Sequence, residues 1–263
     1  RHVPPLELTG ALGALADDPG EVVRREAAAA LADLSLPQSI PALQTFLNDD
    51  SPAVAAQALR GLLAQSQPVP ADRVLTLLLD GDVSAATAQR VVALLPGSRP
   101  EGMKAVRELL DRSSPTLRAA ALRAIILSGS RDLLSREEAF SYLEDSASDV
   151  RQTARMLVLR YGELESGELM EFAGSRYPDV REFALVASRR LPGESGRQIA
   201  MELLLDEDED VRVRAIAEFA VRKLEGWRRI LKASLEDPDP QIQEAAVTGM
   251  LRSGDPQFRP LLL

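Results

Sequence analysis

The sequence predicts an all-α protein, an α–α superhelix of about eight two-helix repeats of roughly 31 residues each. Three observations lead to this prediction. A short motif recurs along the chain, Ala and Leu dominate while aromatic residues make up only 4%, and apolar residues at helical spacing alternate with polar turns. Repeats that cannot bury a core alone stack on their neighbours, so the pattern favours a helical solenoid.

The recurring motif is an aliphatic residue, usually followed by Arg, with Ala four positions later. We count positions in each repeat from the aliphatic residue, which is position 0. Successive copies lie 29 to 34 residues apart. The position 0 residues are Val23, Val54, Val83, Leu117, Val150, Val180, Val211 and Ile242. Position 4 is Ala in every repeat but the third, which has Thr87, and small residues there predict closely approaching helices.

Each repeat is predicted to consist of two helices joined by a polar turn, such as residues 48–52. Side-chain oxygens in such a turn accept hydrogen bonds from free N–H groups of the second helix, and Pro is tolerated in its first turn. Gly129, Gly162 and Gly254 occupy position 12, where a left-handed residue would end the second helix. Residues 255–263 are expected to begin another first helix.

Three turns carry the motif as Asp, aliphatic residue and Arg, with Ala three residues after the Arg. They are Asp149-Val150-Arg151, Asp179-Val180-Arg181 and Asp210-Val211-Arg212. This pattern resembles the HEAT-repeat signature of the short bacterial class first associated with phycobilisome lyases, and the resemblance covers nearly the whole chain. The resemblance implies a ladder in which the turn Asp and the helical Arg link successive repeats.

The ladder is expected to have gaps, because three repeats lack the Arg at position 1. Ala55, Ser84 and Gln243 replace it in the second, third and eighth repeats. Stacking is expected to be least regular around residues 64–100, where prolines also cluster.

The composition argues against most enzyme chemistry. There is no Cys and only one His, His2, so Ser-His-Asp and Cys-His arrangements and multi-His metal sites are excluded. HEAT-type iron hydroxylases need paired His-Glu motifs, which the sequence lacks. The net charge of -9 disfavours binding to nucleic acid. The sequence therefore predicts a protein that is not an enzyme and that holds no cofactor or metal.

Two local segments are candidates for ligand sites. The acidic run at residues 206–210 lacks the spaced ligands and central Gly of a calcium loop. It is interpreted as an inter-helix turn whose carboxylates stabilise the N-terminus of the helix beginning near Val211. Residues 193–196 are interpreted as a short linker between helices and not as a phosphate loop.

The resemblance also implies where a partner binds. In HEAT-like arrays the second helices line the concave face, so positions 2, 3 and 6 should project from it. The candidate partner-binding residues on this face are Arg60, Arg123, Met156, Phe183, Val186, Arg189, Val213 and Arg214. An apolar centre with an Arg rim is typical of protein-binding hot spots. The open alternative is that the apolar residues are core and that the Arg side chains pair with nearby carboxylates.

The leading hypothesis is a non-enzymatic scaffold or adaptor that binds a protein or peptide on the concave face. The alternatives are an accessory subunit related to phycobilisome (bilin) lyases and a regulatory domain of a larger membrane transporter or sensor. Residues 1–263 are expected to form a single repeat domain, and a start at Arg1 suggests a segment of a longer protein with further domains.

The sequence contains no uninterrupted apolar run long enough for a transmembrane helix, so direct membrane insertion is not expected. The cytoplasm is favoured as the compartment. Arg outnumbers Lys by 28 to 3, which together with the short repeat suggests a bacterial origin.

Overall fold

The computed structural model describes residues 5–80, 85–95, 101–112, 114–129, 133–191 and 193–261. Within these residues the regular elements are helices and there is no strand, so the predicted all-α class is confirmed. The chain divides between Val158 and Leu159 into two compact units, which we call unit 1 and unit 2.

In unit 1 the described α-helices follow one another as first and second helices of five repeats. They are α1 (Pro5–Gly13) and α2 (Glu21–Leu34), α3 (Ile40–Phe46) and α4 (Pro52–Ala64), α5 (Ala71–Leu75) and α6 (Ala85–Leu94), α7 (Glu101–Arg112) and α8 (Pro115–Ser128), and α9 (Arg136–Ser141) and α10 (Ser148–Val158). Short 3₁₀ segments at Ala14–Asp17, Pro37–Ser39 and Tyr142–Glu144 adjoin them.

In unit 2 the described α-helices form three further repeats. They are α11 (Ser166–Ala173) and α12 (Pro178–Ala187), α13 (Gly193–Leu203) and α14 (Glu209–Arg222), and α15 (Trp227–Ser234) and α16 (Pro240–Ser253). Residues 193–196 are thus the first turn of α13, so their interpretation as a linker was wrong. Two 3₁₀ segments complete the unit, at Ser188–Arg190 and Pro256–Leu261.

The irregular region expected around residues 64–100 includes a departure from α-helical geometry. The helix that starts as α5 continues as a π-helix over Thr76–Asp80. Such segments are rare and hold one extra residue per turn, so the following side chains rotate away from the regular register. Val83, Ser84 and two of the clustered prolines lie outside the described residues.

The core is built from the motif positions. Val54, Val150 and Val211, all at position 0, have no exposed surface, and the Ala residues at position 4 are at most 3% exposed. Burial at two positions one helical turn apart directs one face of each second helix inward. Among the position 0 residues that the structure describes, Val23 is the exception, since it is 40% exposed.

The second helices also meet at position 7, which the sequence interpretation did not single out. A Cβ on Gly61 of α4 would lie 2.7 Å from the Cβ of Ala32 and 2.8 Å from its Cα, both on α2. A Cβ on Gly249 of α16 would lie 2.9 Å from the Cβ of Ala220 on α14. These distances are shorter than any ordinary carbon contact, so only Gly permits these helix approaches.

The residue at position 12 has a left-handed backbone conformation in repeats without Gly there as well as in those with Gly. Gly129 and Gly254 have φ of 69° and 64° and cap α8 and α16, as predicted. Gly162 has φ of 114° but lies four residues after the end of α10, so it is not a C-cap. Ser35, Ser66 and Lys223 also occupy position 12 and have φ of 49°, 54° and 49°. The repeat geometry therefore imposes this conformation on non-glycine residues.

The segment after α16 differs from the expected α-helix. Pro256–Leu261 is a 3₁₀-helix with Pro260 inside it. Phe258 is fully buried and packs edge-on against Trp227, with ring centroids 5.4 Å apart. Leu262 and Leu263 lie outside the described residues.

The contact at position 7 predicts the effect of adding one methyl group. Gly61→Ala should lower the free energy of unfolding of unit 1 by about 1–3 kcal/mol, because backbone atoms of Ala32 must move. Gly10→Ala in α1 is the matched control, since nothing lies within 4 Å of its added Cβ. That change should raise stability by about 0.5–1 kcal/mol. Urea unfolding followed by circular dichroism measures both, and equal effects would refute the close approach.

Candidate protein-interaction surface

An aspartate at the start of several turns organises the second helix that follows. The carboxylate of Asp49 accepts the backbone N–H of Ser51 at 2.8 Å. Asp145 and Asp206 accept the N–H two residues further on in the same way, at 2.8 and 2.9 Å. This side-chain turn fixes the backbone where the second helix begins.

The Arg at position 1 reaches that aspartate from the preceding repeat. Arg24 donates to Asp49 from Nε and Nη2 at 2.8 and 3.1 Å, and Arg118 donates to Asp145 twice at 2.9 Å. These bidentate bonds hold the turn of the later repeat against the second helix of the earlier one. The Arg24 guanidinium also holds the pKa of the Asp49 carboxyl below its usual range.

The same contacts recur in unit 2. Arg181 donates to Asp206 twice at 2.7 Å, and both side chains are almost fully buried. Arg212 donates to Asp239 at 3.1 Å, two residues later in the turn than the other partners. The ladder that the resemblance implied is therefore present in both units.

Three of these Arg side chains also bind their own turn. Nη1 of Arg24, Arg181 and Arg212 donates to the carbonyl oxygen six residues earlier, at 3.0, 2.8 and 2.9 Å. Arg151 does the same with Asp145 at 2.9 Å. One guanidinium thus connects the turn of its own repeat with the turn of the next.

The expected gaps differ in kind. Ala55 has no donor with which to continue the ladder, and Ser84 lies outside the described residues. Gln243 keeps half of the arrangement, since its Nε2 donates to the carbonyl oxygen of Asp237 at 2.7 Å. Ser175 stands where other turns have Asp, and its hydroxyl accepts the N–H of Tyr177 at 3.2 Å. The turn persists there without a carboxylate.

The acidic run at residues 206–210 is an inter-helix turn, as the sequence interpretation held. Asp206 serves the ladder, and Asp208 is the N-cap of α14, accepting the N–H of Val211 at 3.2 Å. Glu209 and Asp210 lie in the first turn, where negative charge stabilises the helix dipole. Nowhere in the described ranges do three or more potential metal-binding side chains cluster.

The apolar candidates fall into two groups. Met156 and Val186 are exposed, at 49% and 39%, and Val213 is partly exposed. Phe183 is only 9% exposed, and its ring centroid lies 6.3 Å from that of Phe172 in α11. The expectation that Phe183 projects from the surface was therefore wrong, because position 3 of this repeat faces its own first helix.

Most of the Arg candidates are held by neighbouring carboxylates. Arg60 pairs with Asp33 at 2.8 Å, and Arg214 lies 3.8 Å from Glu182. Arg189 donates from Nε to both carboxylate oxygens of Glu218 at 3.0 Å. These three follow the alternative that surface Arg side chains pair with nearby acids. Arg123 is partly exposed and makes no ion pair with the residues that the structure describes.

A buried charge cluster in unit 2 escaped the sequence interpretation. Glu218 occupies position 7 of its repeat, where Gly61 and Gly249 stand in others, and is 1% exposed. Arg222 donates to the Ser188 hydroxyl at 3.1 Å, and burial lowers the pKa of its guanidinium. A Cβ on Gly196 would lie 2.3 Å from Nη2 of Arg222. The signal in the sequence was a carboxylate at a position that is Ala or Gly in five of the eight repeats.

The second helices α14 and α16 of unit 2 leave a groove of about 520 Å³ between them. Its walls combine small and branched residues with polar residues at the two ends. The lining residues are Val213, Ala217, Ala220, Val221, Lys223, Gln241, Glu244, Ala245, Thr248, Gly249, Arg252 and Ser253. Five of them stand at positions 2, 3 or 6, which were predicted to project from the second helices, and Val213 was a named candidate.

Comparison with known proteins identifies the repeat in part of the chain. Residues 9–95 match the family model of HEAT repeats, which confirms the predicted resemblance over this segment. Arg181 and Arg212 of unit 2 repeat the contacts that Arg24 makes inside the matched segment. Among curated proteins, none matches this sequence.

Several solved structures are similar to this chain. YibA of Escherichia coli is 16% identical over 99% of this chain and 90% of its own, with a TM-score of 0.45. An engineered protein is 18% identical over 94% and 78%, with a TM-score of 0.41. Human deoxyhypusine hydroxylase in complex with glycerol is 16% identical over 94% and 96%, with a TM-score of 0.38.

The different burial of Phe183 and Val186 predicts different effects of the same substitution. Phe183→Ser should lower the free energy of unfolding of unit 2 by about 3–5 kcal/mol, because it removes a buried aromatic side chain. Val186→Ser should change it by no more than about 0.5 kcal/mol, because the side chain is exposed. Chemical denaturation of the two variants measures the difference. If Phe183→Ser left the free energy of unfolding unchanged, Phe183 would have to be a surface residue.

Proposed function

We propose that this chain, whose residues 9–95 match HEAT repeats, is a non-enzymatic scaffold that binds a protein or peptide on the face formed by its second helices. The observation that carries the proposal is the groove between α14 and α16. It joins apolar walls to a few polar groups at its ends, the combination that peptide-binding grooves use for affinity and orientation.

The groove is open because its walls are built from small side chains. Ala217 and Val213 line it from α14, and Ala245 and Thr248 line it from α16. Gly249 lets the two helices approach closely, since a Cβ added there would lie 2.9 Å from the Cβ of Ala220. A side chain from a partner can therefore enter without displacing residues of the core.

The polar residues of the groove suit recognition better than bond cleavage. Glu244 is its one carboxylate, and the sequence offers no Cys and only His2 as an imidazole. Nucleophilic and general-base mechanisms need an activated partner beside the acid. A groove with one acid, two cations and amide or hydroxyl groups can orient a peptide by hydrogen bonds and charge.

Within the ranges that the structure describes, none of the helices combines the length and apolarity needed to span a bilayer. Solenoid proteins commonly bind partners on the extended concave surface that stacked repeats create.

Filling the groove tests the proposal. Peptides selected from a random display library on the wild-type chain should bind Thr248→Trp at least tenfold more weakly, because the indole occupies the groove. Fluorescence anisotropy of the selected, labelled peptides measures the affinity.

Gln198→Trp is the matched control, since Gln198 is exposed on the first helix α13 of the same unit and does not line the groove. It should bind as the wild type does. Thermal unfolding of both variants confirms that each remains folded. Equal affinity of Thr248→Trp and wild type for every selected peptide would contradict the proposal.

A further inference from the structure

We infer that the groove between α14 and α16 selects a peptide segment that places an acidic side chain beside Lys223 and Arg252 and an apolar side chain against Val213, Ala217 and Val221. This inference rests on the proposed function, since it names the chemistry of the peptide that the same groove would take.

The two cations lie at the same end of the groove because α14 and α16 run side by side in the same direction. Near their N-termini, Gln241 donates to Glu209 at 2.9 Å. Further along, Gly249 approaches Ala220. Lys223 and Arg252 follow in the last turns, so both line the C-terminal end of the groove.

Neither cation forms an ion pair with a described carboxylate. Arg252 is exposed, and Lys223 lies 5.9 Å from the centre of the Trp227 ring. The carboxylate of Asp255 is bound by Arg228 at 2.6 Å and accepts the N–H of Gln257 at 2.9 Å. Two cations that favour a shared anion are thus available to a ligand.

Each cation also lies at the C-terminal end of its helix, where positive charge stabilises the helix dipole. That role does not require them to share one groove. Their neighbours Ser253 and Val221 line the same end, so a carboxylate placed there would meet two positive charges beside an apolar wall. Charge attraction is stronger where apolar groups exclude water.

The other end of the groove has the opposite sign. Glu244 is exposed in the first turns of α16, and Glu209 lies close by, bound to Gln241. Glu244 and Arg252 are eight residues apart on one helix, which corresponds to about 12 Å. An extended peptide covers that distance in about four residues, so a basic or polar residue about four positions from the acid would suit Glu244.

The chemistry favours a single carboxylate in an apolar context over a polyanion. The chain carries a net charge of -9. A polyphosphate would therefore be repelled by the rest of the protein and attracted only by the two cations of the groove. The apolar walls contribute nothing to a phosphate backbone and bury aliphatic side chains well. The ligand is therefore an acidic, otherwise apolar peptide segment of a protein.

A charge-reversal selection tests the inference. Peptides selected on the wild-type chain from a random dodecapeptide display library should be enriched in Asp or Glu next to an aliphatic residue. Selection on the double variant Lys223→Glu with Arg252→Glu should enrich Lys or Arg at that place. Synthetic wild-type-selected peptides should bind the double variant at least tenfold more weakly in fluorescence anisotropy.

Arg229→Glu with Arg259→Glu is the matched control, because it changes the net charge equally at two exposed cations that do not line the groove. It should keep the wild-type peptides and their affinities. The selected peptides could bind Thr248→Trp more weakly and yet show no enrichment in acidic residues, or bind the charge-reversed variant as tightly as the wild type. Either result would overturn this inference but not the proposed scaffold function. A selection without any peptide sensitive to Thr248→Trp would overturn both.

Discussion

The guanidinium at position 1 is the interaction on which the repeat geometry depends. Arg181 binds the carbonyl oxygen of its own turn and the carboxylate of Asp206 in the next, and both side chains are almost fully buried. Burying two charges is costly unless their hydrogen-bonding groups are satisfied. Here the backbone carbonyl and the N–H of Asp208 supply the remaining partners, so the pair fixes one turn against another without leaving an orphaned charge.

Registered turns place the second helices where small residues face one another. Gly61 meets Ala32 in unit 1, and Gly249 meets Ala220 in unit 2, each at distances that leave no room for a Cβ. Close backbones beneath and small side chains above produce a groove with a packed floor and open walls. The binding surface that we propose is thus a consequence of the stacking and needs no inserted loop.

The period was sufficient to predict the helix pairs and the close helix approach at position 4, because each repeat has to satisfy the same backbone contacts, whereas the ladder was implied by the family resemblance. Features that depend on neighbouring repeats were harder to predict. Glu218 is buried and paired with Arg189 of the repeat before, and Phe183 is buried with its ring beside that of Phe172. Lys223 adopts positive φ although Lys has no preference for it, since the helix must end there. The sequence shows the charged residues Lys223, Glu244 and Arg252, but it does not show that they line one groove. That depends on how α14 packs against α16.

A double-mutant cycle on Arg181 and Asp206 tests the ladder most directly. Arg181→Met and Asp206→Asn should each cost about 3 kcal/mol in urea unfolding, and the double variant should cost little more than either, since no unpaired charge remains. The exposed pair Arg197 and Glu194, 3.4 Å apart, should give a coupling below about 0.5 kcal/mol in the same experiment. Additive effects of Arg181→Met and Asp206→Asn, to within about 0.5 kcal/mol, would contradict the ladder as the interaction that sets the repeat geometry.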